Sequence, residues 1–212
     1  MNHNRENTAR DSRQIKNSML KFPILVIVPV IFLSTLLYFD GLFLDKSQMH
    51  GDAIIHGLSV LSYHKEVLEG KSSLLWSDLI YGGHPLHAET QFAFFSPLNI
   101  IVAFAFPPIL GQNIYHWLSL ILTGLGVIAL CRKLGLSAKA CVFASIAVPF
   151  SSFWLQAQTN ITISGALALI PWAMWSFEKW LEKPSQYLPL TIMMVLLVCS
   201  GYPQILHGTA IY

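Results

Sequence analysis

The chain has 212 residues, of which 54% are hydrophobic and 11% charged. A soluble domain carries about 25% charged residues, so this composition excludes an ordinary soluble protein and points to a polytopic, all-α membrane protein. The net charge of +2 comes with no basic block interleaved with aromatics, which removes nucleic acid from the partners. Cys131, Cys141 and Cys199 are widely spaced, form no CxxC pair, and read as small buried hydrophobes.

Residues 1–21 carry Arg5, Arg10, Arg13, Lys16 and Lys21 against Glu6 and Asp11, and read as a disordered cytoplasmic tail. Residues 22–39 form an apolar run of 18 residues. At about 1.5 Å per residue that run crosses most of a bilayer core. It ends in Leu-Leu-Tyr-Phe-Asp rather than a small-residue cleavage site, so it reads as an uncleaved first span. Further spans are expected at 114–130, 141–155, 161–177 and 188–206. Arg132, Lys133 and Lys139 lie between the second and third spans, and Lys179 and Lys183 between the fourth and fifth. With the tail and these connectors in the cytoplasm, ten of the 13 Lys and Arg residues are inside, leaving Lys46, Lys65 and Lys71 outside. The positive-inside rule then sets the N-terminus in the cytoplasm and residues 40–111 on the outer face.

This outer loop concentrates the ionisable groups: Asp40, Asp45, Asp52, Glu66, Glu69, Asp78 and Glu89, with His50, His56, His64, His84 and His87. Within it, residues 53–69 are expected to form an amphipathic helix along the membrane surface. Ile54, Leu58, Leu61 and Leu68 would share one face, with His64, Lys65 and Glu66 towards the other. Asp52 stands at the N-cap position and Gly70 supplies the stop. Trp76 and Tyr81 suit the interfacial belt, and Gly82-Gly83 marks a turn. Residues 92–110 are apolar but broken by Pro97, Asn99, Pro107 and Pro108, which reads as a re-entrant or interfacial segment. Pro149, Pro171 and Pro203 are expected to kink or end their spans. His116 has two readings, one facing the outer vestibule and one snorkelling to the interface. Residues 205–212 turn apolar after Gly201-Tyr202-Pro203-Gln204, so the transmembrane domain, 22–212, is expected to be incomplete at its C-terminus.

The order of these elements resembles the YfhO-like bacterial membrane proteins, within the broad GT-C class of integral-membrane glycosyltransferases. The matching stretches are His50-Gly51-Asp52, Trp76, GGHPLHAETQFAFFSPLN at 82–99, CRKLGLSAKA at 131–140 and SGYPQ at 200–204. The resemblance runs from about residue 22 onward, each motif being short and their order carrying the weight. It implies a GT-C-like helical bundle in the bacterial cytoplasmic membrane, with a long first extracytoplasmic loop. It further implies transfer of a sugar from a polyprenyl-phosphate carrier to a cell-envelope acceptor, without a cofactor. Family members are usually longer, so this piece alone is expected to be inactive. Asp52 matches the catalytic or orienting carboxylate of the first outer loop. Many GT-C members carry paired acids there, whereas Ala53 and Ile54 follow Asp52, which argues against direct metal dependence.

One base that takes the acceptor's proton while the phosphate leaves suffices for such a transfer. Asp52 is placed for that role and equally for capping the helix that follows, and the two roles are compatible. His84, His87 and Glu89 start from a Gly-Gly-X-Pro turn without a His-Glu-x-x-His pattern, so a metal site is not expected. They read as a polar pocket floor that binds phosphate or sugar hydroxyls, or as solvated loop residues. Glu89 and then Asp78 are the next acids in line. Tyr202, Gln204 and His207 are expected at the outer end of the fifth span, facing the same vestibule. The alternative function is a non-catalytic transporter or envelope-assembly subunit that binds lipid-linked sugars; a transporter would carry ionisable groups to the bilayer midplane.

Overall fold

The computed structural model describes residues 27–44, 46, 53–73, 75–77 and 82–210. The basic tail, the His50-Gly51-Asp52 motif, Asp45, Asp78 and Tyr81 therefore lie outside the described residues. The fold is all-helical. No strand occurs among the described residues, which hold an isolated antiparallel bridge between Ser77 and His84.

Among the described residues two helices, α5 (Pro108–Lys133) and α8 (Ile161–Glu182), are long and apolar enough to cross a membrane. Around them stand α1 (Ile27–Leu37), α2 (Phe39–Phe43), α3 (Ser59–Leu68), α4 (Pro97–Ala105), α6 (Ala138–Ala147), α7 (Ser152–Ala157), α9 (Tyr187–Cys199) and α10 (Pro203–Ala210). Local sequence sets the ends of the long pair. Pro108 opens α5, where its missing N–H costs nothing. At the other end Leu136 N donates to Cys131 O and Gly135 N to Arg132 O, with Gly135 at φ 71. That is the Schellman arrangement, and it needs a residue free to go left-handed. Asn160 caps α8, its Oδ1 accepting from Thr162 N at 2.9 Å.

The α5–α8 pair is the most extensive helix contact in the fold, and small residues make it close. Gly165 takes the Tyr115 hydroxyl against its backbone, and Gly126 takes the Trp172 ring. Trp172 Nε1 donates to Leu122 O at 2.9 Å, Ser164 Oγ meets His116 Nδ1 at 3.1 Å, and Lys133 pairs with Glu182. These contacts run in the same order along both helices, so α5 and α8 are parallel. Their shared C-terminal end gathers Arg132, Lys133, Lys179 and Lys183. Helix α1 runs antiparallel to α5, with Val30 against Gly124 and Trp117 Nε1 donating to Thr35 Oγ1 at 3.1 Å. Asn113 Nδ2 reaches Gly41 O at 3.0 Å and Lys46 O at 3.2 Å, which ties α2 to the start of α5.

Several expected boundaries move. The chain beyond residue 39 continues helical as α2, so Asp40 sits in a helix rather than opening the loop. The expected span at 141–155 is two helices, broken where Pro149 has no N–H for the Ser145 carbonyl. The expected span at 188–206 ends at Cys199; Gly201 turns at φ 78 and α10 packs back on α8 and α9. Pro171 stays inside α8 and is buried. In the 92–110 segment, α4 has nine residues, about 13 Å of helix, too short to span.

The amphipathic helix differs most. A π-helix at Ala53–Leu58 precedes α3. Its i→i+5 closure takes up an extra residue and shifts the phase between the two parts. The face expected from an unbroken α-period is therefore not the buried one. Ile54 is 52% exposed and Leu68 48%, while Val60, Leu61, Tyr63 and His64 turn inward. Helix α3 packs against α4 and α5 rather than lying free on a surface.

The Gly165–Tyr115 contact leaves no room for a side chain. Gly165→Ala is expected to destabilise the bundle by about 1–3 kcal/mol, read as a lower unfolding midpoint in detergent. Tyr115→Phe in the same chain, by removing the oxygen that the new methyl would strike, should recover part of that loss; equal loss in the double variant would refute the contact.

Candidate functional site

Two neighbouring residues of α3 organise the polar loop that follows it. The Tyr63 hydroxyl donates to Ser73 O and lies 3.0 Å from Trp76 O, holding the start of the loop. His64 lies between Val60 O and Phe94 O, 2.8 Å from each, holding its end. Between these ties, Gly82 and Gly83 turn at φ 74 and φ 125. Gly83 packs on the Trp76 ring so closely that a Cβ would collide with it. The turn returns the chain to pair Ser77 with His84 through bonds of 2.9 and 2.8 Å.

Within this frame the structure brings His84 and Glu89 together, Nε2 to Oε2 at 3.4 Å, both partly exposed. Glu89 also caps the 3₁₀ turn Thr90–Phe92, its Oε1 accepting from Gln91 N at 3.5 Å. His87 points elsewhere, with Nδ1 2.9 Å from Leu75 O. No group of three metal-ligating side chains occurs among the described residues. What remains is an imidazole–carboxylate pair, able to exchange a proton or to bind hydroxyls and an anion. At the foot of α3 the Lys71 ammonium, hydrogen-bonded to Glu69, holds that carboxyl below its ordinary range, so this exposed pair is charged and no proton donor at neutral pH.

Tyr202, Gln204 and His207 form a second group. Tyr202 is half-buried, and Gln204 and His207 are exposed along a shallow groove with Pro203 and Gly208. The backbone joins this group to the first: buried Gly201 packs on Thr90 O and on the Ala93 backbone. Ala93 itself is left-handed at φ 45, a conformation costly for a residue with a Cβ. It is held by Asn99 Nδ2, which donates to Ala93 O at 3.2 Å, and by Ser96 N on the same carbonyl at 2.9 Å. The 82–99 and 200–204 motifs, a hundred residues apart in the chain, are thus in direct contact. Beside them opens an apolar cavity of about 370 Å³, with Ser96, Tyr115, Gly165, Trp172, Leu196 and Ser200 in its wall.

Asp52 lies outside the described residues, but its neighbour Ala53 begins the π-helix, which touches α5 and α8. Gly57 of that helix presses on the Gln112 side chain. His116, far from snorkelling, is buried at 3% exposure below these contacts, among Ser119, Ser164 and the Tyr38 ring. His64 was expected only on a polar helix face and Gly201 and Ala93 only within the matching stretches, while Tyr63 carried no expectation.

Comparison of the chain with protein-family models, with curated proteins and with solved structures yields no match.

Gly201→Ala should disrupt the junction of the two motifs. A left-handed Cβ costs about 1–2 kcal/mol on its own, before the clash with Thr90 O. The expected result is faster amide exchange at Thr90–Ser96 with α5 and α8 unchanged; unaltered exchange would show that the junction is not tight.

Proposed function

We propose that the chain belongs to a multi-pass, GT-C-like membrane glycosyltransferase. It would move a sugar from a polyprenyl-phosphate carrier to an acceptor at the outer face of a bacterial cytoplasmic membrane. The observation that supports this most is the packing of Gly201 on Thr90 and Ala93, which unites two motifs of the resemblance beside an apolar cavity. A lipid-linked donor has two chemically different ends, and that juxtaposition offers something to each. The His84–Glu89 pair suits a phosphate or sugar hydroxyls, and the cavity suits an isoprenoid chain.

In this reading Asp52 takes the acceptor's proton as the phosphate departs. His84 and Glu89 hold the donor's polar end, with His87 keeping the loop on Leu75. Tyr202, Gln204 and His207 line the acceptor side. The charge pattern favours catalysis at one face over transport. In α5 and α8 the Asp, Glu, Lys and Arg residues stand in the final turns, so none crosses the middle of either helix.

The decisive experiment is Asp52→Asn in the native gene, scored by an envelope glycan assay alongside membrane abundance. Loss of a general base costs about 10²–10⁴-fold in rate, so transfer should fall to background with normal protein levels. Unimpaired glycosylation would remove Asp52 from catalysis and leave it a helix cap. Glu89→Gln should weaken donor binding more than turnover, giving a raised KM for the lipid-linked sugar with a smaller change in kcat.

A further inference from the structure

The end of the bundle away from the polar loop carries a groove that the proposed function does not use. It lies between α5, α8 and α9, has a volume of about 460 Å³, and is walled chiefly by Leu130, Leu134, Met174, Phe177, Leu190 and Met194. One carboxylate, Glu178, stands in this wall, together with Thr209, whose hydroxyl donates to Ile205 O. Glu178 is half-buried and lies one turn inside the end of α8. It has neither a hydrogen bond nor an ion pair among the described residues. A carboxylate held in an apolar wall is costly unless a complementary group meets it.

Charges of both signs flank the end of the groove. Leu130, Lys133 and Leu134 fall at i, i+3 and i+4, on one face of α5, and Met174, Glu178 and Glu182 at i, i+4 and i+8, on one face of α8. The Lys133–Glu182 bridge therefore stands where the groove ends. Arg132 and Lys183, next to these two in the chain, are exposed, and Lys179 lies 4.0 Å over the Trp175 ring. A purely anionic ligand would meet Glu178 and Glu182, and a purely cationic one would meet four bases. A zwitterion with an apolar chain is complementary to both sets. Among zwitterionic headgroups the carboxylate decides, because it accepts hydrogen bonds and so suits a primary ammonium. A quaternary ammonium takes an aromatic cage, and Phe177 is the one ring among the lining residues.

We propose that this groove binds an aminophospholipid of the phosphatidylethanolamine type. One acyl chain lies between α5, α8 and α9, the ammonium donates to Glu178, and the phosphate faces Lys133 and Arg132. The site rests on α5 and α8 crossing a membrane and not on sugar transfer. It is at the opposite end of the bundle from His84 and Glu89, so its failure leaves the glycosyltransferase reading standing, and the reverse also holds.

The test offers the whole chain, in mild detergent, phosphatidylethanolamine, phosphatidylcholine and phosphatidylglycerol with identical acyl chains. Native mass spectrometry then counts the lipid retained. Phosphatidylethanolamine should be held about tenfold more tightly than the other two, the advantage of a charge-assisted hydrogen bond. Glu178→Gln, which keeps the shape and removes the charge, should bring the three lipids level. A phosphatidylethanolamine with a photoreactive acyl chain should label the wild type at 130–134 and 190–194. Retention of either other lipid equal to or above that of phosphatidylethanolamine would overturn the assignment. So would an order unchanged in Glu178→Gln, or labelling confined to other segments. If Glu178→Gln does not fold, the wild-type order and the labelled positions decide alone.

Discussion

The close approach of α5 and α8 is the contact on which the rest of the molecule is assembled. A close helix pair is held by packing and by hydrogen bonds across its seam. The pair supplies both kinds. Gly165 and Gly126 remove the side chains that would keep the backbones apart, and the Tyr115 and Trp172 rings occupy the vacated space. Trp172 and His116 add polar bonds across the seam, to Leu122 O and Ser164 Oγ. Because the pair is parallel, one end collects basic residues and the Lys133–Glu182 bridge, and the other is left to receive α2, the π-helix and α3.

That second end explains why the polar loop has a defined shape. Gln112 and Asn113, in the second turn of α5, are buried at 1% and 2% exposure and hold Gly57 and Gly41 respectively. The chain on either side of the undescribed 47–52 segment is therefore pinned to one helix turn. Leu61 then enters a cluster with Val102, Tyr115 and Ile161, fixing the roll of α3. With its roll fixed, Tyr63 and His64 must face the loop, and each closes one end of it. The bundle sets α3, and α3 sets the loop.

Much of this was legible in the sequence, and the rest fails for identifiable reasons. Composition and runs of apolar residues located α5 and α8, and Gly70 and Gly82-Gly83 marked the left-handed positions seen at φ 70, 74 and 125. Proline and glycine were read correctly as breakers but given too little force. Pro149 and Gly201 divide two expected spans into short helices, because hydropathy is blind to a missing N–H or a left-handed turn. The buried face of α3 could not be found from a 3.6-residue period once a π-helix had shifted the phase ahead of it. His64 was assigned to the polar face on its chemistry, whereas the structure buries it between the carbonyls of Val60 and Phe94. His84 and Glu89 were legible as a group because only four residues separate them in the chain. Their link to Tyr202, Gln204 and His207 runs through backbone packing at Gly201, which residue chemistry does not encode.

The distribution of polarity argues for where chemistry belongs in this molecule. The bundle interior is polar but uncharged: Tyr38, Ser119 and Gln158 share hydrogen bonds, and Thr123 accepts from Trp154. Such groups satisfy one another at little desolvation cost, and they rigidify helices. Full charges on α5 and α8 are held in their final turns. An imidazole beside a carboxylate occurs in the α3-bound loop. Ala93, the non-glycine residue at positive φ among the described residues, stands four residues beyond that pair, braced by Asn99 and Gly201. Strain of this kind survives where surrounding contacts overdetermine it. Here those contacts converge on the segment that carries His84 and Glu89, so the scaffold's rigidity is directed at this loop rather than at a path through the bundle.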